Sequence, residues 1–459
     1  MTAIAPLARH HGRTRFDGGV RLAAGWALWL GLLLVAYWWA AGGGFGDLTG
    51  WETGLTSAGR LTGLLCSVLL LAQVLLMARI PVLERAFGQD RLARLHRVTG
   101  LTSFDLLLAH LVLITWGYAA GEVTAIPATF WDLVTAYPGM LLALAATAAL
   151  VMVVVTSVRA ARRRLRYESW HLLHLYAYLG VGLALPHQLW TGQEFTGSAA
   201  RTIFWWTLWA AAAAAVLVWR IGVPLARNVR HRLRVTSVVQ EGDGVFSVYL
   251  TGRHLDRLPA EAGQFFGWRF LRRAGWTRGN PYSLSAAPDG RSLRITVKVS
   301  GDGSAGIAAL RPGTPALFEG PFGRITGRAR HGRKVALIGA GVGITPMRAL
   351  AEGLDYAPGE AVVLHRFTGR PLFDREFRVL AAERGLGLVW LPGHRRAPGS
   401  WLADGVPADD VTALRHWVPD IAERDVYVCG PEPWADSVRR AAEAAGVPAE
   451  RLHIENFAW

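Results

Sequence analysis

The stretch HLLHLYAYLGVGLALPH, residues 171–187, is apolar enough for a membrane helix, yet it carries three histidines. Polar side chains at membrane depth are costly, and they usually have a partner or a task. A single buried histidine can simply be hydrogen-bonded to a neighbouring helix. The positions of the other histidines of the chain therefore decide what this segment does.

Six apolar segments precede residue 221, and each is long enough to cross a bilayer core of about 30 Å. They lie near residues 22–41, 61–78, 99–119, 138–158, 170–190 and 202–220. Arginines cluster in the loops after the second, fourth and sixth segments, whereas the alternate loops carry mainly acidic residues. By the positive-inside rule we expect a multi-pass protein of the cell membrane with both termini in the cytoplasm. The first segment is too long for a cleaved signal peptide, so we expect it to be retained.

Charge and cysteine content exclude several classes of protein. The formal net charge is +15, but the arginines that produce it mark the cytoplasmic loops, so the charge predicts orientation and no nucleic-acid partner. Only two cysteines occur among 459 residues. A disulfide framework, a four-cysteine zinc site and a cysteine-ligated iron–sulfur cluster are therefore excluded, and redox chemistry needs another cofactor.

Four histidines have the spacing expected of ligands to two stacked haems. His96 and His110 are 14 positions apart on the third segment, which is about 21 Å of helical rise and about 40° from one face. His174 and His187 are 13 positions apart on the fifth segment, which is about 19.5 Å. Because both segments run outward in this topology, we expect His96 to face His174 near the inner surface and His110 to face His187 near the outer one.

The second pair leaves an alternative open. Thirteen residues turn an ideal helix to about 140° off the same face, and a kink at Pro186 is our hypothesis for correcting this. His171 with His187 spans about 24 Å and matches the other helix less well. We expect His171 to be an interfacial residue or a partner of a ligand.

The residues after the sixth segment are predicted to form two soluble domains. Short β-like runs separated by glycine and proline predict a small antiparallel β-barrel over residues 232–325. Strands alternating with helices predict an α/β nucleotide-binding domain over 331–459. With a cytoplasmic tail over 1–21 and a six-helix transmembrane bundle over 22–220, the predicted fold class is multidomain.

The segment ALIGAGVGITP (336–346) is the strongest single motif of the soluble half. Gly339, Gly341 and Gly343 permit close approach of a ligand to the backbone, and Thr345 is predicted to cap a helix that begins at Pro346. The amino end of that helix offers free amide groups and a positive dipole end to a pyrophosphate.

The ordered set NPYSLS, VSGDGSAG, GAGVGITP, VCGP and ENFAW resembles the ferredoxin-NADP reductase superfamily. Preceded by six spans and paired histidines, residues 20–459 resemble the transmembrane flavocytochromes of the ferric reductase and NADPH oxidase family. The resemblance implies that NADPH reduces FAD in the cytoplasm and that electrons pass singly through an inner and an outer b haem to an acceptor outside.

The resemblance also implies the residues that hold FAD. Tyr282 is expected to pack on the isoalloxazine ring, and Ser283 to reach its reactive nitrogen as a catalytic group. The family has arginine or histidine two positions before this tyrosine, whereas this sequence has Asn280, and Arg278 lies close enough to replace it. The remaining residues expected at FAD are Pro281, Val299, Ser300, Gly303 and Ser304.

Further positions correspond to the nicotinamide and adenosine ends of the cofactor. Cys429, followed by Gly430 and Pro431, resembles the family cysteine beside the nicotinamide. Phe457 matches the aromatic residue that covers the flavin until nicotinamide displaces it, and Trp459 extends past it. Arg366 and Arg370 are expected at a 2′-phosphate, which favours NADPH while leaving NADH possible.

The predicted function is therefore NAD(P)H-dependent transmembrane electron transfer to a ferric chelate, to dioxygen or to an extracytoplasmic redox partner. Arg60 and Arg201, at the outer ends of two spans, are candidates for neutralising haem propionates or attracting an anionic acceptor. Ile114 occupies the position where eukaryotic oxidases carry a further histidine, which weakens a dedicated superoxide-producing interpretation. The alternative is a membrane-anchored flavoprotein reductase whose spans bind no haem and form an anchor or transport bundle.

Overall fold

The computed structural model describes residues 8–162, 164–165, 167–271, 279–300, 304 and 306–456. The chain divides into two compact units, one comprising Arg15–Val223 and the other consisting mainly of the residues from Pro224 onward. The first is helical and strongly apolar, whereas the second contains all the described strands.

The helical unit follows the predicted order of apolar segments. Its helices, together with the one that opens the second unit, are α1 (Ala8–Ala41), α2 (Gly44–Asp47), α3 (Trp51–Met77), α4 (Pro81–Phe87), α5 (Gln89–Tyr118), α6 (Ile126–Ala136), α7 (Met140–Ser157), α8 (Arg159–Arg162), α9 (Tyr167–Trp190), α10 (Gln193–Thr196), α11 (Ala199–Ala215) and α12 (Val223–His231). Between α11 and α12 the chain forms a π-helical stretch over Val216–Gly222.

Five helical runs among the described residues are long and apolar enough to cross a membrane, one fewer than the sequence predicted. They are Phe16–Ala41, Trp51–Met77, Arg91–Tyr118, Met140–Ser157 and Ala199–His231. The predicted fifth span, 170–190, lies within α9, whose 24 residues suffice for a crossing. Three histidines and Pro186 interrupt its apolar sequence, and it is not among the five runs. The sequence also did not predict α6, a short helix between two spans.

Small residues bring the long helices into contact. A side chain at Gly59 would collide with Ile114, and one at Gly117 would collide with Thr56, so α3 and α5 approach closely along these glycines. Gly180 of α9 lies in the same way against Leu150 of α7. The pairing of α5 with α3, and of α9 with α7, holds the two histidine-bearing helices.

The strands of the second unit fall into an antiparallel and a parallel group. The antiparallel strands are β1 (Arg234–Gly242), β2 (Val245–Thr251), β3 (Phe265–Phe270), β4 (Asn280–Ser283), β5 (Ser292–Lys298) and β6 (Ala316–Phe322). They form two three-stranded sheets of order β1-β2-β5 and β4-β3-β6. These sheets enclose one core that includes Val248, Phe266, Trp268 and Ile295.

The described strands form two separate sheets and not the predicted barrel. Among the described residues, the two sheets are joined by isolated bridges, Arg234 with Pro315 and Leu284 with Ile295. Bulges in β1 and in the β3–β6 ladder interrupt regular pairing, and such bulges bend strands where a small sheet must curve.

The parallel group forms a five-stranded sheet of order β11-β10-β7-β8-β9. Its strands are β7 (Val335–Ala340), β8 (Ala361–Phe367), β9 (Gly387–Pro392), β10 (Asp425–Gly430) and β11 (Leu452–Asn456). The accompanying helices are α13 (Ile344–Gly353), α14 (Asp374–Arg384), α15 (Asp410–Trp417) and α16 (Glu432–Ala444). Hydrophobic cores lie on both faces of the sheet, as expected for parallel strands.

The order of the parallel strands creates a crevice. From β7 the chain proceeds to β8 and β9 on one side, and it later returns to β10 and β11 on the other. In open α/β sheets, ligands bind at the carboxyl ends of the strands where the strand order reverses. Here that point lies between β7 and β10.

Candidate functional site

The first candidate site lies where α5 and α9 bring histidines together. The rings of His96 and His174 have centroids 6.0 Å apart at an interplanar angle of 69°. Two imidazoles that ligate one metal ion on opposite sides, each through a bond of about 2 Å, have ring centroids about 6 Å apart. The observed separation therefore fits two imidazoles that would hold one metal ion, and the structure places His174 beside His96.

The polar partners of these two rings differ. Nδ1 of His174 lies 3.2 Å from Oγ of Ser157, and the same hydroxyl accepts a hydrogen bond of 3.3 Å from Nε1 of Trp170. Nδ1 of His96 is buried and has no hydrogen-bond partner among the described residues. The ring of His171 also lies near Trp170, with ring centroids 6.5 Å apart.

His110 is held by the glycines of α3. Its Nδ1 lies 2.7 Å from the carbonyl oxygen of Gly59, so Nδ1–H donates there and Nε2 carries the free lone pair. Ligating histidines characteristically donate their second ring N–H to a carbonyl in this way. A Cβ at Gly63 would lie 2.6 Å from Nδ1 of His110, so only glycine leaves room for the ring.

His187 is within electrostatic range of His110, and its Nδ1 is buried without a partner among the described residues. Its backbone packs on Gly139, where a Cβ would lie 2.8 Å from the amide nitrogen of His187. Helix α9 continues through Pro186 to Trp190, and the kink proposed at this proline stays a prediction. The chemistry of these donors fits a second metal between α5 and α9.

The two outer arginines differ in their surroundings. The guanidinium of Arg201 forms an ion pair with Glu194 and donates to the carbonyl of Trp38 over 3.2 Å. Arg60 is exposed. Arg201 is therefore already neutralised by a carboxylate of this chain, whereas Arg60 faces solvent or lipid.

The second candidate site begins at β4. In the β3–β4 ladder, Tyr282 pairs with Phe266 and Ser283 with Phe265. Ser283 is buried, and its Oγ has no hydrogen-bond partner among the described residues. A buried hydroxyl without a partner costs free energy, so this orphan is consistent with a polar ligand atom. Asn280 and Pro281 precede it on the same strand, half-buried.

The backbone amides of two other residues expected at FAD already have partners within the chain. Val299 donates its amide to the carbonyl of Gly244 over 2.7 Å, and the amide of Ser300 donates to Oγ of Ser304 over 2.8 Å. The resemblance places FAD phosphates at the start of a helix near Ser304; Ser304 is helical, and residues 306–309 form turns. Arg278, Gly303, Phe457 and Trp459 lie outside the described residues.

The glycine-rich turn directly follows β7 and lies at the crevice between β7 and β10. The turn is a short 3₁₀ segment, Gly341–Gly343, and Gly341 is exposed with φ +54°. A side chain at Gly343 would collide with the backbone of Cys429, so the turn packs directly on the end of β10. A side chain at Gly339 would lie 2.9 Å from Cα of Ile344. Close packing of turn, strand and helix therefore requires these glycines.

The predicted helix start was wrong by two residues. Helix α13 begins at Ile344 after Gly343, with no side-chain cap, so Thr345 is not the cap and Pro346 is not the first residue. The glycine turn leads directly into the helix, and Pro346 is tolerated because amides of the first turn lack intrahelical partners. Thr345 and Pro346 are both buried.

Cys429 lies in register with Gly339 on one side and with Glu455 on the other. Its side chain is fully buried. Burial, assisted by the Glu455 carboxylate, raises the pKa of the Cys429 thiol well above its usual range. The group is therefore a neutral thiol at physiological pH, followed by the buried Gly430 and the exposed Pro431.

Sequence reasoning missed Glu455 as a member of this site. The residue was visible in ENFAW, but its position beside Cys429 follows only from the β10–β11 register. A Cβ at Gly323 would lie 3.1 Å from Oε1 of Glu455, which places the carboxylate against the loop after β6.

Arg366 is the penultimate residue of β8 and is half-buried. Its Nε is buried without a hydrogen-bond partner among the described residues. Burial and the neighbouring Arg395 lower the pKa of Arg366, and Asp404 partly offsets them. Arg395, which the sequence did not predict, donates to Oγ of Ser437 over 2.8 Å. Arg370 is exposed in the turn after β8.

Comparison with known proteins supports both halves of this description. Residues 62–185 match the family described as "Ferric reductase like transmembrane component". An NADPH oxidoreductase of Mycobacterium tuberculosis is 28% identical over 245 residues, which is 51% of this chain and 61% of the relative. A flavohemoprotein of Pseudomonas aeruginosa is 32% identical over 50% of this chain and 59% of its own length. The chain thus spans about 60% of these curated relatives.

Two solved structures are similar over half of the chain. An Amycolatopsis cytochrome P450 reductase has 20% identity and a TM-score of 0.41, with 50% of this chain and 69% of the other covered. The FAD/NAD-binding domain of a Vibrio cholerae nitric oxide dioxygenase has 26% identity and a TM-score of 0.38, with 50% and 99% covered. By its family match and its reductase relatives, the chain joins a ferric reductase-like transmembrane part to a ferredoxin-NADP reductase-like half.

Proposed function

We propose that this protein transfers electrons from cytoplasmic NAD(P)H, through FAD and two b haems, to an acceptor outside the cytoplasm. Residues 22–220 would hold the haems, 232–325 FAD and 331–459 NAD(P)H. The observation that carries the proposal is the pair His96 and His174, whose rings lie 6.0 Å apart on two different apolar helices. The positive-inside pattern supports a location in the cell membrane with both termini cytoplasmic.

The cofactors would supply complementary chemistry, since nicotinamide gives two electrons together, flavin accepts the pair, and haem iron takes one at a time. The task of the membrane residues is to present neutral imidazole nitrogens at fixed positions. The Gly59 carbonyl can only accept a hydrogen bond, so it fixes the tautomer of His110 and leaves Nε2 as the ligating atom. The Ser157 hydroxyl, 3.2 Å from Nδ1 of His174, would hold the orientation of that ring.

In the soluble unit, residues around the crevice would position flavin and nicotinamide. The Oγ of Ser283, which has no hydrogen-bond partner within the described part of the chain, would donate to the flavin, and this would remove the cost of an unsatisfied buried hydroxyl. The neutral Cys429 thiol would pack beside the nicotinamide without introducing a charge. The Gly341 turn and the amino end of α13 offer backbone amides to phosphate.

Arg366 supports NADPH as the preferred donor. Its Nε is buried with no hydrogen-bond partner in the part of the chain that the structure describes, and a guanidinium matches the charge and geometry of a 2′-phosphate. Replacing Arg366 by Gln should raise KM for NADPH by about 10-fold to 100-fold. KM for NADH, which lacks the 2′-phosphate, should change little. Equal effects on both nucleotides would argue against a phosphate contact.

The acceptor is proposed to be small and anionic, such as a ferric chelate, although dioxygen and an extracytoplasmic redox partner fit the same electron path. Of the two outer arginines, Arg60 is exposed while Arg201 is paired with Glu194. We therefore assign the attraction of an anion to Arg60.

Replacement of single histidines tests the function. His96→Leu or His174→Leu should remove the inner haem's absorption, and His110→Leu or His187→Leu that of the outer haem. Transfer across the membrane should stop, while cytoplasmic dye reduction by NAD(P)H should survive. If all four variants keep transmembrane transfer, the spans are an anchor or transport bundle and the protein is a membrane-anchored flavoprotein reductase.

A further inference from the structure

Three side chains with metal-ligating atoms meet at the edge of the parallel sheet opposite the crevice. His331 lies in the loop before β7, Asp425 opens β10, and His453 is the second residue of β11. One ligand atom from each lies within 4.8 Å of the others. Neither the electron path nor the nucleotide site uses these residues.

The carboxylate of Asp425 is oriented toward both imidazoles. Its Oδ2 accepts backbone amides of His331 and Gly332 over 2.9 Å and 2.7 Å. Its Oδ1 faces Nε2 of His453 at 2.9 Å and Nδ1 of His331 at 3.4 Å. Ligating carboxylates are commonly held by such hydrogen bonds from the surrounding shell.

The two imidazoles are prearranged as well. Their rings are nearly parallel, with an interplanar angle of 4° and centroids 6.1 Å apart. The ring of Tyr427 packs on His453 with centroids 4.7 Å apart, and its hydroxyl donates to the Thr326 carbonyl. The His453 ring is therefore fixed on one side by an aromatic residue that is itself anchored.

We propose that His331, Asp425 and His453 form a site for one divalent transition-metal ion of the zinc type. Tetrahedral ligands at bond lengths of about 2.0–2.1 Å lie about 3.3–3.4 Å apart, close to the spacing of Oδ1 from the two nitrogens. Two imidazoles and one carboxylate suit zinc, whereas calcium and magnesium prefer oxygen ligands. A water molecule would supply the fourth ligand.

Accessibility and charge are compatible with an ion. The side chain of Asp425 is fully buried, but that of His331 is 31% exposed, which provides a path of entry. The neighbouring cations are engaged elsewhere. Lys334 pairs with Asp420 at 2.9 Å and Glu423 at 2.8 Å, and Arg333 pairs with Glu360 at 3.2 Å. One carboxylate and two imidazole rings then face the ion.

An ion here would fasten the loop before β7 to the starts of β10 and β11. Strand β11 carries Glu455 toward the crevice at its other end. The site is therefore structural in kind, and its occupancy should raise the temperature at which the soluble unit unfolds. It does not depend on haem, flavin or NAD(P)H.

The test uses the full-length protein in detergent, stripped with a chelator and dialysed against free Zn²⁺. Zinc per chain is measured by mass spectrometry for the wild type, His331→Ala and the matched surface control His416→Ala. We expect the wild type and His416→Ala to retain one zinc that His331→Ala loses, with affinity lowered more than about 10-fold. Zinc should also raise Tm of the wild type and leave that of His331→Ala unchanged.

Two further measurements keep the result decisive if His331→Ala folds poorly. His453→Gln should lose the same zinc, and circular dichroism without zinc checks its fold. X-ray absorption of the zinc-loaded wild type should show two imidazole ligands and oxygen. Failure of the wild type to retain zinc, equal retention by both histidine variants, or a shell without imidazole would overturn the proposal.

Discussion

Replacing Gly63 by alanine should displace one proposed haem ligand without removing it. The added Cβ would lie 2.6 Å from Nδ1 and 2.8 Å from Cε1 of His110. Non-bonded heavy atoms prefer separations of about 3.5–4.0 Å, so the ring must move by about 1 Å. That movement breaks or lengthens the 2.7 Å hydrogen bond from Nδ1 to the Gly59 carbonyl.

The size of the effect follows from two contributions. Overpacking in a close helix interface costs about 1–3 kcal/mol, and loss of the hydrogen bond costs about 0.5–1.5 kcal/mol. Because the ligand also loses the partner that orients it, affinity for the outer haem should fall by about 10-fold to 100-fold. The inner pair, His96 and His174, should be unaffected.

The assay is haem content per chain together with a reduced-minus-oxidised spectrum resolved by potential. Gly63→Ala should lose or shift the outer haem alone. Gly25→Ala is the control, since a Cβ at this exposed position of α1 meets nothing within 4 Å. A Gly63→Ala protein with both haems at unchanged potentials would refute the placement of His110 as a ligand.

Three further changes test other parts of the account. Ser157→Ala should shift the midpoint potential of the inner haem without loss of haem, since it removes the hydroxyl 3.2 Å from His174, as redox titration would show. Because burial raises the pKa of Cys429, flavin reduction followed by stopped flow should show no thiol titration between about pH 6 and 9. Burial opposes ionisation of Glu376, but the charges of Arg294 and Arg348 outweigh burial and lower the pKa of Glu376. Glu376→Gln should therefore cost on the order of 2 kcal/mol of unfolding free energy at pH 7.

Thr156→Ala, which removes a hydroxyl bonded to its own helix, should leave the inner haem potential unchanged, and an equal shift would refute a specific role for Ser157. A Cys429-dependent titration near pH 8.5 would mean that the thiol is not buried as described.

The direction in which the stabilisation by Glu376 changes with pH follows from its lowered pKa. The stabilisation is present above the carboxyl's unfolded pKa of about 4.3 and disappears as pH falls through the lower folded value. The cost of Glu376→Gln should therefore shrink in acid, while the exposed Glu383→Gln should show no such cost. A pH-independent cost would contradict an ionic contribution.

Much of the fold was predictable because local patterns in the sequence specify it. Apolar length identified the helices, and glycine spacing identified the turn after β7. One unconfirmed span and one error have physical causes. Helix α9 is long enough to cross a membrane, but three histidines and Pro186 interrupt its apolar sequence, and it is not among the five candidate spans. Thr345 does not cap α13 because the flexible glycines start the helix earlier.

The remaining features depend on contacts between distant residues. Helix spacing could nominate His174, but its 6.0 Å approach to His96 requires two helices to pack. The proximity of Glu455 to Cys429, and of Arg395 to Arg366, follows from strand order and from loops that no local pattern specifies. The cluster of His331, Asp425 and His453 likewise combines residues from three separate segments.

The most direct measurement is a dithionite-reduced minus oxidised absorption spectrum of the purified protein, with haem and flavin quantified per chain. We expect two b-type haems, held by paired histidines on α5 and α9, and one FAD. Flavin without haem would contradict it and leave the histidines as ordinary polar residues of a membrane anchor.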